Sequence, residues 1–110
     1  LPLQPMFLVS AESKSIRITC DLGGASTSII HWYRQPAGQR PVRILYYESG
    51  VNKRDSGFGD RFEARLVVGS QYSLTVGDLK REDSATYFCA YWESGTWIKI
   101  FGSGTRLIVT

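Results

Sequence analysis

The sequence predicts an all-β protein whose strands form a two-sheet sandwich or a small barrel. Short runs of alternating apolar residues recur roughly every 8 to 12 residues, with Gly, Ser, Asp and Asn between them, which is typical of such folds. No segment keeps a helical period of apolar residues over about 10 residues. The chain contains no internal repeat and no linker, so we expect one domain over residues 1–110.

The clearest predicted strand is 15–20, where Ile16, Ile18 and Cys20 share one face and polar residues occupy the other. One helical turn is expected at 79–84. The remaining predicted strands are 30–35 and 42–47, a hairpin of 61–68 with 71–76, a hairpin of 86–91 with 97–101, and a last segment at 105–110.

Composition and charge argue against several classes of partner. With 43% hydrophobic residues, 110 residues are enough to bury a core. The net charge is +3, and the 13 basic residues are spread along the chain without a run of five or more, so we expect neither nucleic-acid binding nor direct membrane contact. No stretch approaches the ~20 apolar residues of a membrane span. The chain lacks a leader at Leu1, so we expect a processed chain whose anchor lies elsewhere.

Cys20 and Cys89 are the only cysteines, and His31 is the only histidine. These residues are too few for a zinc site, so we predict no bound metal. The cysteines form either a disulfide or two unrelated buried thiols. A disulfide that closes the loop between Cys20 and Cys89 would stabilise the fold by roughly 4 kcal/mol. It would also require an oxidising compartment, either secreted or on the cell surface.

The sequence carries no motif that supports catalysis. His31 lies in a predicted strand beside Trp32, where a structural role is expected. There is no Gly-x-Ser-x-Gly nucleophile motif, and residues 57–59 lack the helix and lysine of a phosphate loop. We therefore predict no catalytic residue and no cofactor.

Two aromatic residues near the cysteines narrow the fold. Trp32 follows Cys20 by twelve positions in a strand pattern, so its side chain can fill the space between two sheets. Tyr87 lies two positions before Cys89, where a tyrosine hydroxyl can bond to upstream backbone. With Asp83, four positions before that tyrosine, and Arg61, which opens an earlier predicted strand, these residues favour a sandwich over a barrel.

With these residues the sequence resembles the variable domains of immunoglobulins and T-cell receptors, along essentially the whole chain. The resemblance implies an immunoglobulin V-type, two-sheet antiparallel Greek-key sandwich with one inter-sheet disulfide. It also implies that Arg61 pairs with Asp83 across the bottom of the sandwich. The motifs that carry it are Cys20, Trp-Tyr-Arg-Gln at 32–35, Asp-Ser-Ala-Thr-Tyr-Phe-Cys at 83–89 and Phe-Gly-Ser-Gly-Thr at 101–105.

The Phe-Gly-Ser-Gly stretch looks like the joining segment of a rearranged antigen receptor. Cys-Ala-Tyr-Trp at 89–92 and Trp-Ile-Lys-Ile-Phe at 97–101 resemble T-cell receptor γ chains. This similarity implies a V segment at about 1–93 and a joining segment at about 96–110. An immunoglobulin light-chain variable domain and an invariant V-type receptor or adhesion module are the alternatives.

The resemblance also implies an interface with a second variable domain, δ-like or related. Tyr33 follows inward-facing Trp32, so its side chain points out of the core, and Phe88 has the same relation to Tyr87. A glutamine can exchange amide hydrogen bonds with a glutamine of the partner. The residues at family interface positions are Tyr33, Gln35, Pro41, Phe88 and Phe101.

Three loops would bind a protein or presented antigen at the cell surface: 23–30, 47–52 and 90–100. Large aromatic side chains in the third loop suit a binding surface, although Trp97 is equally suited to pack on the partner domain. The candidate ligand-binding residues are Thr27, Ser28, Ile29, Tyr47, Glu48, Tyr91, Trp92, Glu93, Ser94, Gly95, Thr96 and Trp97.

Overall fold

A computed structural model describes residues 1–110, which form ten strands and one short 3-10 turn. None of its helices is long and apolar enough to span a membrane. The 3-10 turn is Arg81–Asp83, within the helical turn predicted at 79–84. The strands are β1 Phe7–Ser10, β2 Ile16–Asp21, β3 Ile29–Gln35, β4 Val42–Glu48, β5 Val51–Arg54, β6 Phe62–Val68, β7 Gln71–Val76, β8 Ala85–Trp92, β9 Lys99–Phe101 and β10 Thr105–Val109.

The strands form two sheets, as the sequence predicts. The larger sheet has the order β1-β10-β8-β3-β4-β5, with β9 also paired to β8, and the smaller has the order β2-β7-β6. All pairs are antiparallel except β1 with β10. The sandwich is therefore confirmed, and the barrel is excluded.

A disulfide joins the two sheets through the core. Cys20 in β2 and Cys89 in β8 are bonded, neither is exposed, and no cysteine is free, so the interpretation as unrelated thiols was wrong. Trp32 in β3 lies directly opposite Cys89 in the strand register and is fully buried. The predicted arrangement of Trp32 beside the disulfide is confirmed.

A buried carboxylate organises the opposite end of the core. Asp83 is fully buried and accepts hydrogen bonds from Arg61 Nη1 at 2.9 Å and Nη2 at 3.1 Å. The Tyr87 hydroxyl donates to the Asp83 carbonyl oxygen at 2.7 Å, which is the predicted corner. Arg34 Nη1 also donates to Asp83 at 3.2 Å and its guanidinium lies 5.0 Å from the Phe58 ring centroid, contacts that the sequence did not reveal.

The electrostatics of this cluster favour an ionised carboxylate. Burial raises the pKa of Asp83. Hydrogen bonds from Arg61 and from the Lys80 backbone, together with the charges of Arg61 and Arg34, lower the pKa by more than burial raises it. The net pKa therefore lies below its usual value. Burial also raises the pKa of Tyr87 to about 12, so its hydroxyl stays protonated and continues to donate.

The glycines after β9 allow a close approach that a side chain would block. A Cβ on Gly102 would lie 2.8 Å from the Cys89 sulfur, and one on Gly104 would lie 2.6 Å from the Phe88 ring. The Gln4 side chain fills this corner: its amide donates to the Tyr87 carbonyl at 2.9 Å and accepts from the backbone nitrogens of Cys89 and Gly104. Here β9 ends and β10 begins, and both pair with β8.

The segment 47–52, which the sequence predicted as a loop, is mostly strand. β4 extends to Glu48, β5 begins at Val51, and only Ser49 and Gly50 connect them. Both have positive φ, 49° and 83°, which suits a two-residue hairpin turn. β5 has no long alternation of apolar residues, so the sequence alone could not distinguish this strand from a loop.

Removing the Tyr87 hydroxyl is expected to destabilise the fold. Tyr87→Phe leaves the Asp83 carbonyl oxygen unpaired in the core, which costs about 1–3 kcal/mol of unfolding free energy. Urea denaturation measures the change. Tyr46→Phe is the matched control, since the Tyr46 hydroxyl has no hydrogen-bond partner in the chain, and an equal loss in both variants would contradict the expectation.

Asp83 is expected to make the domain acid-sensitive. Its folded-state pKa is lowered, so its contribution is fully present above the unfolded value of about 3.9 and is lost as the pH falls through the folded value. Asp83→Asn should lower the unfolding free energy at pH 7 by about 2–3 kcal/mol. Its stability should also change less than that of the unaltered chain below pH 4, and parallel acid profiles would refute this.

Candidate binding surfaces

The outer side of the larger sheet carries a continuous aromatic surface. Strand alternation turns Trp32 and Cys89 inward, and Tyr33 and Phe88 outward as opposite neighbours in the register. The ring centroids of Tyr33 and Phe101 are 5.3 Å apart, and Phe88 meets Phe101 edge-on at 6.5 Å. We call these three side chains, Tyr33, Phe88 and Phe101, the aromatic face.

Gln35 and Pro41 lie toward the other end of β3 and β4. Gln35 Nε2 donates to the Gln39 carbonyl oxygen at 3.0 Å, which uses one of its two amide hydrogens. Its Oε1 makes no hydrogen bond within the chain, so the amide keeps a free donor and a free acceptor. Pro41 is exposed immediately before β4.

A polar cluster flanks the aromatic face. Arg43 makes two hydrogen bonds to Asp55, at 2.7 and 3.1 Å, and donates to His31 Nδ1 at 3.2 Å. Burial, with the charges of Lys99 and Arg43, lowers the His31 pKa to about 4, so the ring is neutral at pH 7. Its Nε2 has no partner, so the histidine is only half satisfied.

The side chains around His31 do not form a set of metal ligands. The groups near it are Arg43, Asp55, Tyr46 and Lys99. No group of three or more His, Cys, Asp or Glu side chains is placed to hold a metal ion. The cluster can fix the orientation of Arg43, and its pairing with Asp55 raises the Arg43 pKa.

The first two predicted loops are only partly loop. Thr27 is half-buried, and its hydroxyl bonds to the backbone of Ile29, which already belongs to β3, while Ser28 is exposed. Tyr47 and Glu48 belong to β4. Tyr47 packs against the core, edge-on to the Tyr72 ring.

The third loop is shorter than the predicted 90–100, because β8 extends to Trp92 and β9 begins at Lys99. Tyr91 packs against the core and so is not an exposed anchor. Trp92 and Trp97 meet edge-on at 6.5 Å, and their exposed fractions are 42% and 92%. The exposed connecting residues are Glu93, Ser94, Gly95, Thr96, Trp97 and Ile98.

Hydrogen bonds close the base of this loop. The Glu93 nitrogen donates to the Ile98 carbonyl oxygen at 2.8 Å, and the Thr96 hydroxyl donates to the Glu93 carbonyl oxygen at 3.0 Å. Gly95 at the tip has a positive φ of 72°. The third loop is thus a short turn that connects the paired strands β8 and β9.

Lys99 is a residue of this surface that the sequence analysis missed. Its Nζ donates to the Tyr33 hydroxyl and lies 4.8 Å from the Tyr33 ring centroid and 5.0 Å from that of Trp92. The alternation Lys99, Phe101 within β9 would have placed it on the outward side.

Comparisons with known proteins agree with this geometry. Residues 4–110 match the model of the immunoglobulin V-set domain. The chain is 39% identical over 104 residues to a T-cell receptor gamma chain V region of Mus musculus, covering 90% of this chain and 76% of that protein.

Solved structures titled marsupial T cell receptor have the same fold. One is 34% identical and superposes with a TM-score of 0.92, covering 99% of this chain and 50% of the receptor chain. Another is 38% identical and has a TM-score of 0.89, covering 97% of this chain and 51% of the receptor chain. The chain spans about half the length of these receptor chains. It therefore belongs to the immunoglobulin V-set family, as an antigen-receptor variable domain of the T-cell receptor γ type.

Proposed function

We propose that this domain pairs with a second variable domain, δ-like or related, and that the two form an antigen-binding surface outside the cell. The observation that carries the proposal is the aromatic face, three outward rings on one sheet in which Phe101 contacts both Tyr33 and Phe88. A contiguous apolar patch of this kind on a soluble domain marks an interaction surface.

The aromatic face has the properties of an interface centre. Phe101 is 40% exposed, while its neighbours Tyr33 and Phe88 are half-buried, so a partner can cover the three rings with little rearrangement. Gly104 supports this surface, because its missing side chain leaves room for the Phe88 ring.

Gln35 and Pro41 would form the lower part of the same interface. The free oxygen and free amide hydrogen of Gln35 are the groups needed for a reciprocal bond with a glutamine of the partner. Such a neutral pair fixes the register of two domains without burying a charge.

Antigen, either a protein or a presented molecule, would bind at the loop end. The first loop contributes Thr27, Ser28 and Ile29, and the β4–β5 turn presents Glu48. Trp92 and Trp97 are the exposed aromatic side chains beside the third loop, and they suit a binding surface. The proposed junction between V segment (1–93) and joining segment (96–110) falls at Ser94 and Gly95, the exposed loop tip, where variation disturbs no core contact.

Charged residues on the aromatic face are expected to abolish pairing. In Phe88→Asp with Phe101→Asp, two interface rings are lost and charges would be buried, which weakens association by about 2 kcal/mol or more per ring. Co-expression with δ-type variable domains from the same animal, followed by gel filtration, measures pairing. Leu66→Asp with Val68→Asp on the smaller sheet is the matched control, and unchanged pairing of the Phe88/Phe101 variant would remove this interface.

Replacing residues 93–98 by a loop of equal length is expected to change the ligand without changing the partner. Because β8, β9 and the aromatic face stay intact, pairing should remain within about threefold, while binding to the original ligand should fall at least tenfold. The heterodimer can be profiled against a displayed library of cell-surface ectodomains. An unaltered profile would show that another loop dominates recognition.

A further inference from the structure

Lys99 lies on the outer side of the larger sheet without an acidic partner. The ion pairs of the chain involve five arginines, and none involves a lysine. Instead, the ammonium donates to the Tyr33 hydroxyl and lies against the rings of Tyr33 and Trp92. Its position is therefore fixed by aromatic contacts, and its charge is not compensated within the chain.

The position of Lys99 places it within reach of whatever covers the aromatic face. Tyr33, which contacts Lys99, also contacts Phe101 at 5.3 Å between ring centroids. A domain seated on Phe101 would remove water from the lysine as well. An ammonium group has three N–H donors, of which Tyr33 satisfies one, and burying it without a counter-charge is costly.

The other charges of this outer side add to the same sign. Arg43 is neutralised by Asp55, but Lys53 in β5 and Arg106 in β10 have no carboxylate within ion-pair distance. Glu48 at the end of β4 and Glu93 in the third loop are exposed acidic residues without an ion pair. A second copy of this chain would bring like charges together, so the surface favours a different, acidic partner.

We propose that Lys99 is a partner-recognition residue that binds a carboxylate of the paired variable domain. The inference rests on the proposed pairing. A partner is favoured over the antigen as the source of the carboxylate, because Lys99 belongs to β9 and contacts Tyr33 within the sheet, below the exposed turn of 93–98. The desolvated pair would select acidic partners and exclude self-association.

The test measures pairing of Lys99 variants with the same δ-type variable domains, co-expressed and then assayed by surface plasmon resonance. Lys99→Met keeps the stem and removes the charge, and should weaken pairing about tenfold or more, and Lys99→Glu about a hundredfold or more. The matched controls Lys14→Met and Lys14→Glu, at an exposed lysine in the turn before β2, should stay within about threefold. The unaltered chain should also lose more affinity on added salt than Lys99→Met does.

The two proposals fail in different ways. Pairing of Lys99→Met within threefold of the unaltered chain, while the Phe88/Phe101 variant cannot pair, overturns the lysine proposal and leaves the interface standing. Normal pairing by the Phe88/Phe101 variant removes the interface itself. Intact pairing of Lys99→Met with lost ligand binding would assign the carboxylate to the antigen. Stable homodimers of the unaltered chain would also overturn the inference.

If Lys99→Glu does not fold, as judged by its thermal unfolding midpoint, Lys99→Met carries the test, because a methionine retains the apolar contacts with both rings. A charge swap gives the positive result: changing the partner's contacting acidic residue to lysine should restore pairing with Lys99→Glu. Failure of every such swap to restore pairing contradicts a direct carboxylate contact.

Discussion

The Cys20–Cys89 bond holds β8 against the smaller sheet, and the remaining architecture depends on that strand. β8 pairs with β3 on one side and with both β9 and β10 on the other, so it is the centre of the larger sheet. Because side chains alternate along a strand, fixing the Cys89 side chain inward also fixes Phe88 outward. The same crosslink thus sets the core and the aromatic face, and Trp32 fills the space beside it.

The corner behind the disulfide connects this scaffold to the third loop. Gln4 bonds to the backbone at Tyr87, Cys89 and Gly104, so the amino-terminal segment is fastened to the break between β9 and β10. Residues 93–98 therefore stand on a rigid base. Paired strands separate the loop from the core, so a change of loop residues need not disturb core contacts.

At the opposite end, burial of Asp83 is tolerated only because its oxygens are occupied. Two arginines and the Lys80 backbone donate to it, and these bonds outweigh the desolvation of the carboxylate. Removing one partner from such a cluster leaves charge uncompensated, so we expect this site to affect stability although it lies far from the binding surfaces. Lys99, beside the aromatic face, is the opposite case, because its charge has no counter-ion in the chain.

Strand alternation and the spacing of Trp32 and Tyr87 from the cysteines determined the sandwich from the sequence by itself. The Cys20–Cys89 disulfide and the Arg61–Asp83 pair followed from the resemblance to variable domains. Strand alternation also located the outward rings of Tyr33 and Phe88, and the resemblance located Phe101. Only the tertiary structure decided that Tyr91 packs inward, that 47–52 is mostly strand, and that Gln4, Arg34 and Lys99 make their contacts. Those outcomes depend on residues far apart in the chain, and a strand's length or a lysine's neighbours are set by what packs beside them.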